Sequence, residues 1–150
     1  MRRITAVMLM ALLVVLPGSS ALAGQRPETN TFHFRETETF MDVGCEQVVP
    51  ITIMSRGVIH ETVFHDGRVH VTGTFTGTFT FSEAGVDYAG HFTSWFGLNV
   101  NRRNWNTTDT FTAVGRGSDG SHIRFQLVAH VSSNAKGDVV VEFVRVRGHC

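Results

Sequence analysis

Lysine is almost missing from this chain. Lys136 is the only one, and arginine supplies every other strong positive charge. Cysteine occurs only twice, as Cys45 and Cys150. With no Cys-x-x-Cys and no histidine pair beside either thiol, the sequence offers no metal site. After residue 23 no apolar run is long enough to cross a bilayer, and no stretch repeats apolar residues at helical spacing. Gly-x-Ser-x-Gly, a phosphate-binding glycine loop and His-Glu-x-x-His are also absent. The common signatures of nucleophilic hydrolases, nucleotide handling and zinc hydrolysis are therefore lacking, and no cofactor is implied. Charge of one sign is not in excess either. The chain has 13 basic and 13 acidic residues, and setting Arg2 and Arg3 aside leaves 11 basic against 13 acidic. That balance points away from nucleic acid and from an anionic membrane surface, since both call for clustered positive charge.

What is present begins with the leader "MRRITAVMLMALLVVLPGSSALAGQ". Two arginines precede an apolar run from Ile4 to Leu16, a Pro-Gly-Ser-Ser break follows, and Ala21-Leu22-Ala23 has the small-x-small form of a cleavage site. Residues 1–23 read as a secretory signal peptide, too short to span a membrane as a helix. The expectation is a secreted, extracellular protein with no membrane insertion. Residues 24–30 are expected to form a flexible tail and 31–150 a single β-barrel domain. In an exported chain two cysteines most simply form one disulfide, Cys45–Cys150. Closing a loop of that size is worth about 4–5 kcal/mol in chain-entropy models.

Beyond the tail the sequence is rich in Thr, Val and Phe at period two and is punctuated by glycine turns. Candidate strands are Thr31–Phe40, Ile51–Phe64, Arg68–Phe81, Tyr88–Gly97, Thr110–Arg116, His122–Ser132 and Asp138–Arg147. Short connections make each strand pair with the next. The expected fold is all-β, an antiparallel meander closed into a seven- or eight-stranded barrel, with a β-sandwich as the alternative. With seven strands, Cys45 and Cys150 fall on one rim. An eighth strand within Leu98–Asn106 would carry Cys150 to the other.

The segment "VHVTGTFTGTFTF" (Val69–Phe81) puts five threonines on one face and valines, phenylalanines and glycines on the other. Pairing Phe81 with Tyr88 sets Gly77 opposite Phe92 and Gly73 opposite Phe96, so that rings cover bare backbone. Reading Asp66-Gly67 as a two-residue turn adds Met54, Val58 and His60 to that apolar face. An inward histidine suggests acid–base chemistry, and Glu36 and Arg56 are its candidate partners, so the weak catalytic candidates are His60, Glu36 and Arg56. The ligand-binding candidates are Phe75, Phe79, Tyr88, Phe92 and Phe96 on the apolar face. Arg102 and Trp105 join them from the polar connection Gly97–Asp109.

The stretches "DGRVHVTGTFTGTFTF", "GHFTSWFG", "GRGSDGS" and "VVVEFVRVRGHC" resemble small exported β-rich proteins of high-GC Gram-positive bacteria. The resemblance implies export and an all-β fold and carries no chemistry. At the level of strands alone the chain is similar to lipocalin-like and allene-oxide-cyclase-like barrels, and no functional residue transfers. The expectation for function is a small secreted β-barrel that binds an apolar or aromatic small molecule. The alternatives are an isomerase- or cyclase-type enzyme working in the barrel cavity, or a structural or interaction protein with a filled barrel.

Overall fold

Seven strands follow one another as hairpins in the computed structural model, which describes residues 26–150. The leader lies outside the described residues. The strands are β1 (Glu28–Val43), β2 (Val48–Val63), β3 (Val69–Glu83), β4 (Val86–Val100), β5 (Trp105–Gly117), β6 (His122–Ser133) and β7 (Val139–His149). All lie in a single antiparallel sheet in sequence order, β1 to β7. The meander is therefore present with seven strands. Leu98–Asn106 holds the end of β4, a turn at Asn101–Asn104 and the start of β5, so no eighth strand forms there. The polar connection expected over Gly97–Asp109 shrinks to those four residues. β1 begins at Glu28, inside the stretch read as a tail.

The sheet is not closed by hydrogen bonds, since no ladder joins β1 to β7 among the described residues. A covalent bond brings its ends together instead. Cys45, in the β1–β2 turn, is disulfide-bonded to Cys150 just after β7, with Cα atoms 5.7 Å apart. The pairing registers carry a line from Thr37 on β1 through Met54, Thr78, His91, Val114 and Arg124 to His149 on β7. Cys150 is one residue past His149, while Cys45 is eight past Thr37. Relative to this line the two bonded cysteines are offset by about seven residues, so the disulfide links the first turn and the end of the last strand across a slant of the kind that tilted strands give a coiled sheet.

Turn chemistry decides the registers, and one sequence expectation fails on it. At Ala84-Gly85 both residues have positive φ (51° and 83°), which makes a two-residue hairpin turn and sets Phe81 opposite Tyr88 as expected. At Asp66-Gly67 only the glycine has positive φ (82°). The turn there is five residues long: the Phe64 N–H donates to the Arg68 carbonyl and the Gly67 N–H to the Phe64 carbonyl, both at 2.9 Å. Asp66 stabilises this form by accepting from the Arg68 backbone N–H (3.2 Å) and guanidinium (2.7 Å). Val63, not Phe64, therefore faces Val69. A slip of one residue turns every side chain of a strand to the opposite face. Met54, Val58 and His60 consequently point outward, and Ile51, Ile53, Ser55, Ile59 and Glu61 point inward.

The inner face carries the core. Val49, Phe79, Phe81, Tyr88, Phe92, Ala113 and Ile123 form its buried cluster. The glycines serve as seats for rings. A Cβ on Gly77 would collide with the Met54 carbonyl and lie 2.7 Å from two atoms of the Phe92 ring, and one on Gly73 would meet the Phe96 ring. Stacked pairs run along this face, including Phe81–Tyr88 at 4.8 Å and Phe75–Phe96 at 5.4 Å between centroids. Such pairs add about 0.5–1.5 kcal/mol each beyond simple burial.

Candidate binding site on the inner face

The two ends of the inner face differ. At the end that carries the disulfide, the β1–β2, β3–β4 and β5–β6 turns gather with Cys150. Glu83, the last residue of β3, faces inward there and is only 7 % exposed. Its carboxylate accepts backbone N–H donors from Cys45 (2.6 Å), Glu46 (2.8 Å) and Gln47 (2.8 Å). Burial pushes this carboxyl up, but the three donors together outweigh it and hold its pKa below the ordinary glutamate value. Glu83 thereby fixes the turn that holds one half of the disulfide, and the inner face is buried at this end.

At the other end the β2–β3, β4–β5 and β6–β7 turns meet. Phe34, Phe75, Phe96 and Phe111 are only half-buried there. Asp109 lies among them, directly opposite Phe96. Burial raises its pKa, and a hydrogen bond from the Thr107 hydroxyl at 3.4 Å offsets this only in part. Glu61, opposite Val71, has a buried Oε1 with no hydrogen-bond partner, and Ser133 has a buried Oγ in the same condition. Buried polar atoms left unpaired cost stability, and such costs concentrate where something else is meant to bind.

The ligand-binding candidates divide between these ends. Phe79, Tyr88 and Phe92 are 7–9 % exposed in the packed cluster and form its walls. Phe75 and Phe96 belong to the open half. Trp105 begins β5 at the open rim, half-buried and opposite Val100. Arg102 is exposed on the neighbouring turn, where its Nε approaches Gly67 of the β2–β3 turn. The catalytic candidates are not brought together. Glu36 faces inward, with Ser55 donating to it at 3.5 Å. Arg56 and His60 lie on the opposite face, and His60 is exposed, its Nδ1 3.0 Å from the Thr31 hydroxyl.

Asp109, Glu61 and Glu83 escaped the sequence reading. The signal for each was parity: Thr107-x-Asp109-x-Phe111 and Phe79-x-Phe81-x-Glu83 continue the apolar alternation into a carboxylate. Parity also exposes a segregation hidden by the balanced net charge. The arginines of the strands, Arg35, Arg56, Arg116, Arg124, Arg145 and Arg147, all occupy outward positions. So do the strand histidines, His33, His60, His70, His91, His122, His130 and His149. Inward positions hold Glu28, Glu36, Glu38, Asp42, Glu61, Glu83 and Asp109. Among the described side chains Asp87 is the one strand carboxylate that points outward.

No helix of the described residues is long and apolar enough to cross a membrane. Comparison with protein-family models returns no match, and comparisons with curated proteins and with solved structures return none either. The resemblance to exported β-rich proteins rests on the quoted motifs alone.

Proposed function

We propose that this is an exported binding protein whose coiled sheet works as a seven-stranded barrel with one shut end and one open end. The open end takes an apolar or aromatic small molecule that carries a hydrogen-bond donor or an amine. One observation carries this reading: half-buried phenylalanines, Phe96 directly opposite and Phe111 two residues along, lie beside Asp109, a carboxyl whose charged form is disfavoured by burial. Apolar rings supply binding area, and a few placed polar groups fix orientation. Inward positions hold carboxylates and no arginine or histidine, so the complementary ligand group is a donor or a cation. The Cys45–Cys150 disulfide and the leader favour an oxidising, extracellular setting.

Titration of the oxidised protein with N-phenyl-1-naphthylamine, an apolar amine that brightens in dry surroundings, tests the proposal. The expected result is saturable enhancement, weakened at least fivefold by F96A and by D109N. An absence of saturable enhancement, or unchanged affinity in both variants, overturns it.

A further inference from the structure

The outward face is as distinctive as the inner one, and it has the opposite chemistry. From β5 to β7 its arginines cluster. Arg116 lies across from His122, Arg124 from His149, Gln126 from Arg147 and Val128 from Arg145. Arg145 and Arg147, both exposed, line a depression of about 240 Å³ together with Gln126 and Val128. The Arg145 guanidinium sits over the Phe143 ring, 5.6 Å from its centroid. None of the outward arginines has a carboxylate partner among the described residues, where Arg68–Asp66 is the ion pair observed. Six like charges on one face of the sheet, against the single outward strand carboxylate Asp87, raise the local potential and concentrate anions, whatever the net charge of the chain.

The same face carries a flat aromatic platform. Trp95 is 40 % exposed in the centre of β4. Its six-membered ring rests on Gly97, where an added Cβ would lie 2.9 Å from Cη2 and 3.2 Å from Cζ2. The ring therefore lies over the Gly97 backbone while two fifths of the residue stays open to solvent. Thr74 and Thr110 flank it on the neighbouring strands, and the same cross-strand row continues through Val128 to Arg145. Hydroxyls also line the adjacent row, Thr76–Thr93–Thr112, which ends through Gln126 at Arg147. The face is not the apolar band of a membrane-spanning barrel, whose lipid-facing positions are hydrophobic.

We infer that this outward face binds a linear acidic polysaccharide lying across the strands. A sugar ring stacks its C–H face on Trp95, where the negative face of the indole meets weakly positive hydrogens. Carboxylate or sulfate groups further along the chain pair with Arg145 and Arg147, whose guanidinium forks suit those anions. The threonine hydroxyls meet sugar hydroxyls in between. A single stranded nucleic acid would share the charge complementarity but would use a series of aromatic seats for successive bases. Between β3 and β6 this face presents one, Trp95.

Calorimetric titration with polygalacturonate and with heparin tests the inference and separates carboxylate from sulfate recognition, with neutral dextran and single-stranded DNA as comparisons. Saturable binding to at least one acidic glycan is expected, weakened at least tenfold on raising salt from 0.05 M to 0.5 M. R145Q/R147Q should weaken it at least tenfold and W95A at least threefold, while R68Q, which removes an arginine already paired with Asp66, should leave it unchanged. The salt series on the unaltered protein reports even where a variant folds poorly. No binding to either acidic glycan, equal binding to dextran, DNA binding as tight as glycan binding, or indifference to W95A and R145Q/R147Q would each overturn the inference.

Discussion

Two carboxylates on one face have been placed in opposite conditions. Glu83, at the shut end, has three backbone donors and a lowered pKa. Asp109, at the open end, has one long hydrogen bond from Thr107 and a raised pKa. Around Glu83 the rings of Phe81 and Tyr88 are buried, whereas around Asp109 Phe75, Phe96 and Phe111 remain half-exposed. The lesson is that one continuous sheet can satisfy its inward carboxylates at one end and leave them short of partners at the other. What separates the ends is whether the buried polar groups find partners within the chain.

The largest way to break this contrast is to cut the disulfide. It closes a separation of 105 residues, and its removal in C45A/C150A is expected to cost about 4–5 kcal/mol. Denaturant unfolding of oxidised, reduced and variant protein measures it. The β1–β2 turn would lose its tether to the end of β7, so hydrogen exchange should accelerate first at the shut end.

Next comes Glu83. Truncation in E83A leaves the N–H groups of Cys45, Glu46 and Gln47 without their acceptor and should cost about 2–3 kcal/mol. E83Q should cost less, because one side-chain oxygen remains. The pH sign follows from the lowered pKa. The folded state holds the proton less tightly than the unfolded chain, so the stabilisation is complete above the unfolded-state value and is lost as pH falls through the folded one. Acid unfolding of E83Q should therefore be shallower than that of the parent. Equal acid dependence in the two proteins would mean that the three hydrogen bonds do not hold the turn in solution.

Two glycine substitutions sharpen the comparison further. At Gly77 the nearest obstacles are the Met54 carbonyl and the Phe92 ring in the packed half, while at Gly73 the nearest atoms all belong to the Phe96 ring in the open half. A ring with free space beside it can move aside, but a backbone carbonyl in a ladder cannot. G77A should cost about 2–3 kcal/mol and G73A about 1 kcal/mol. G73A should also displace Phe96 and weaken binding of the amine probe, with G77A leaving the probe's affinity unchanged if it folds.

The sequence revealed the meander, the strand order, the seven-strand option with both cysteines on one rim, and the pairing of Gly73 with Phe96 and Gly77 with Phe92. These follow from period two, from glycine placement and from a hairpin that fixes its own register. It misled at Asp66-Gly67, because the same dipeptide fits a two-residue turn and a five-residue turn. The choice rested on an Asp66–Arg68 interaction that no local pattern announces. That single residue of slip moved His60 outward and dissolved the His60, Glu36 and Arg56 grouping. Glu83 was hidden for another reason: its role lies in donors of a turn 36 to 38 residues earlier, joined to it only by the fold. Charge segregation was written in the alternation of every strand, but a net charge summed over both faces erased it.

The smallest effect concerns Asp109, and its sign is the reverse of that for Glu83. With a raised pKa the folded state holds the proton more tightly than the unfolded chain does. Its contribution to stability is therefore best at low pH and declines as pH rises through the interval between the unfolded and folded values. D109N removes the half-buried charge, so at neutral pH it should be slightly more stable than the parent, the gain vanishing in acid. The same substitution should weaken the probe, because the probe's N–H donor then meets an amide in place of a carboxylate, a weaker acceptor. A variant that gains stability while losing affinity marks a group kept for binding at the expense of folding. If D109N shows neither change, Asp109 is an ordinary surface carboxyl, and the open end differs from the shut one in packing alone.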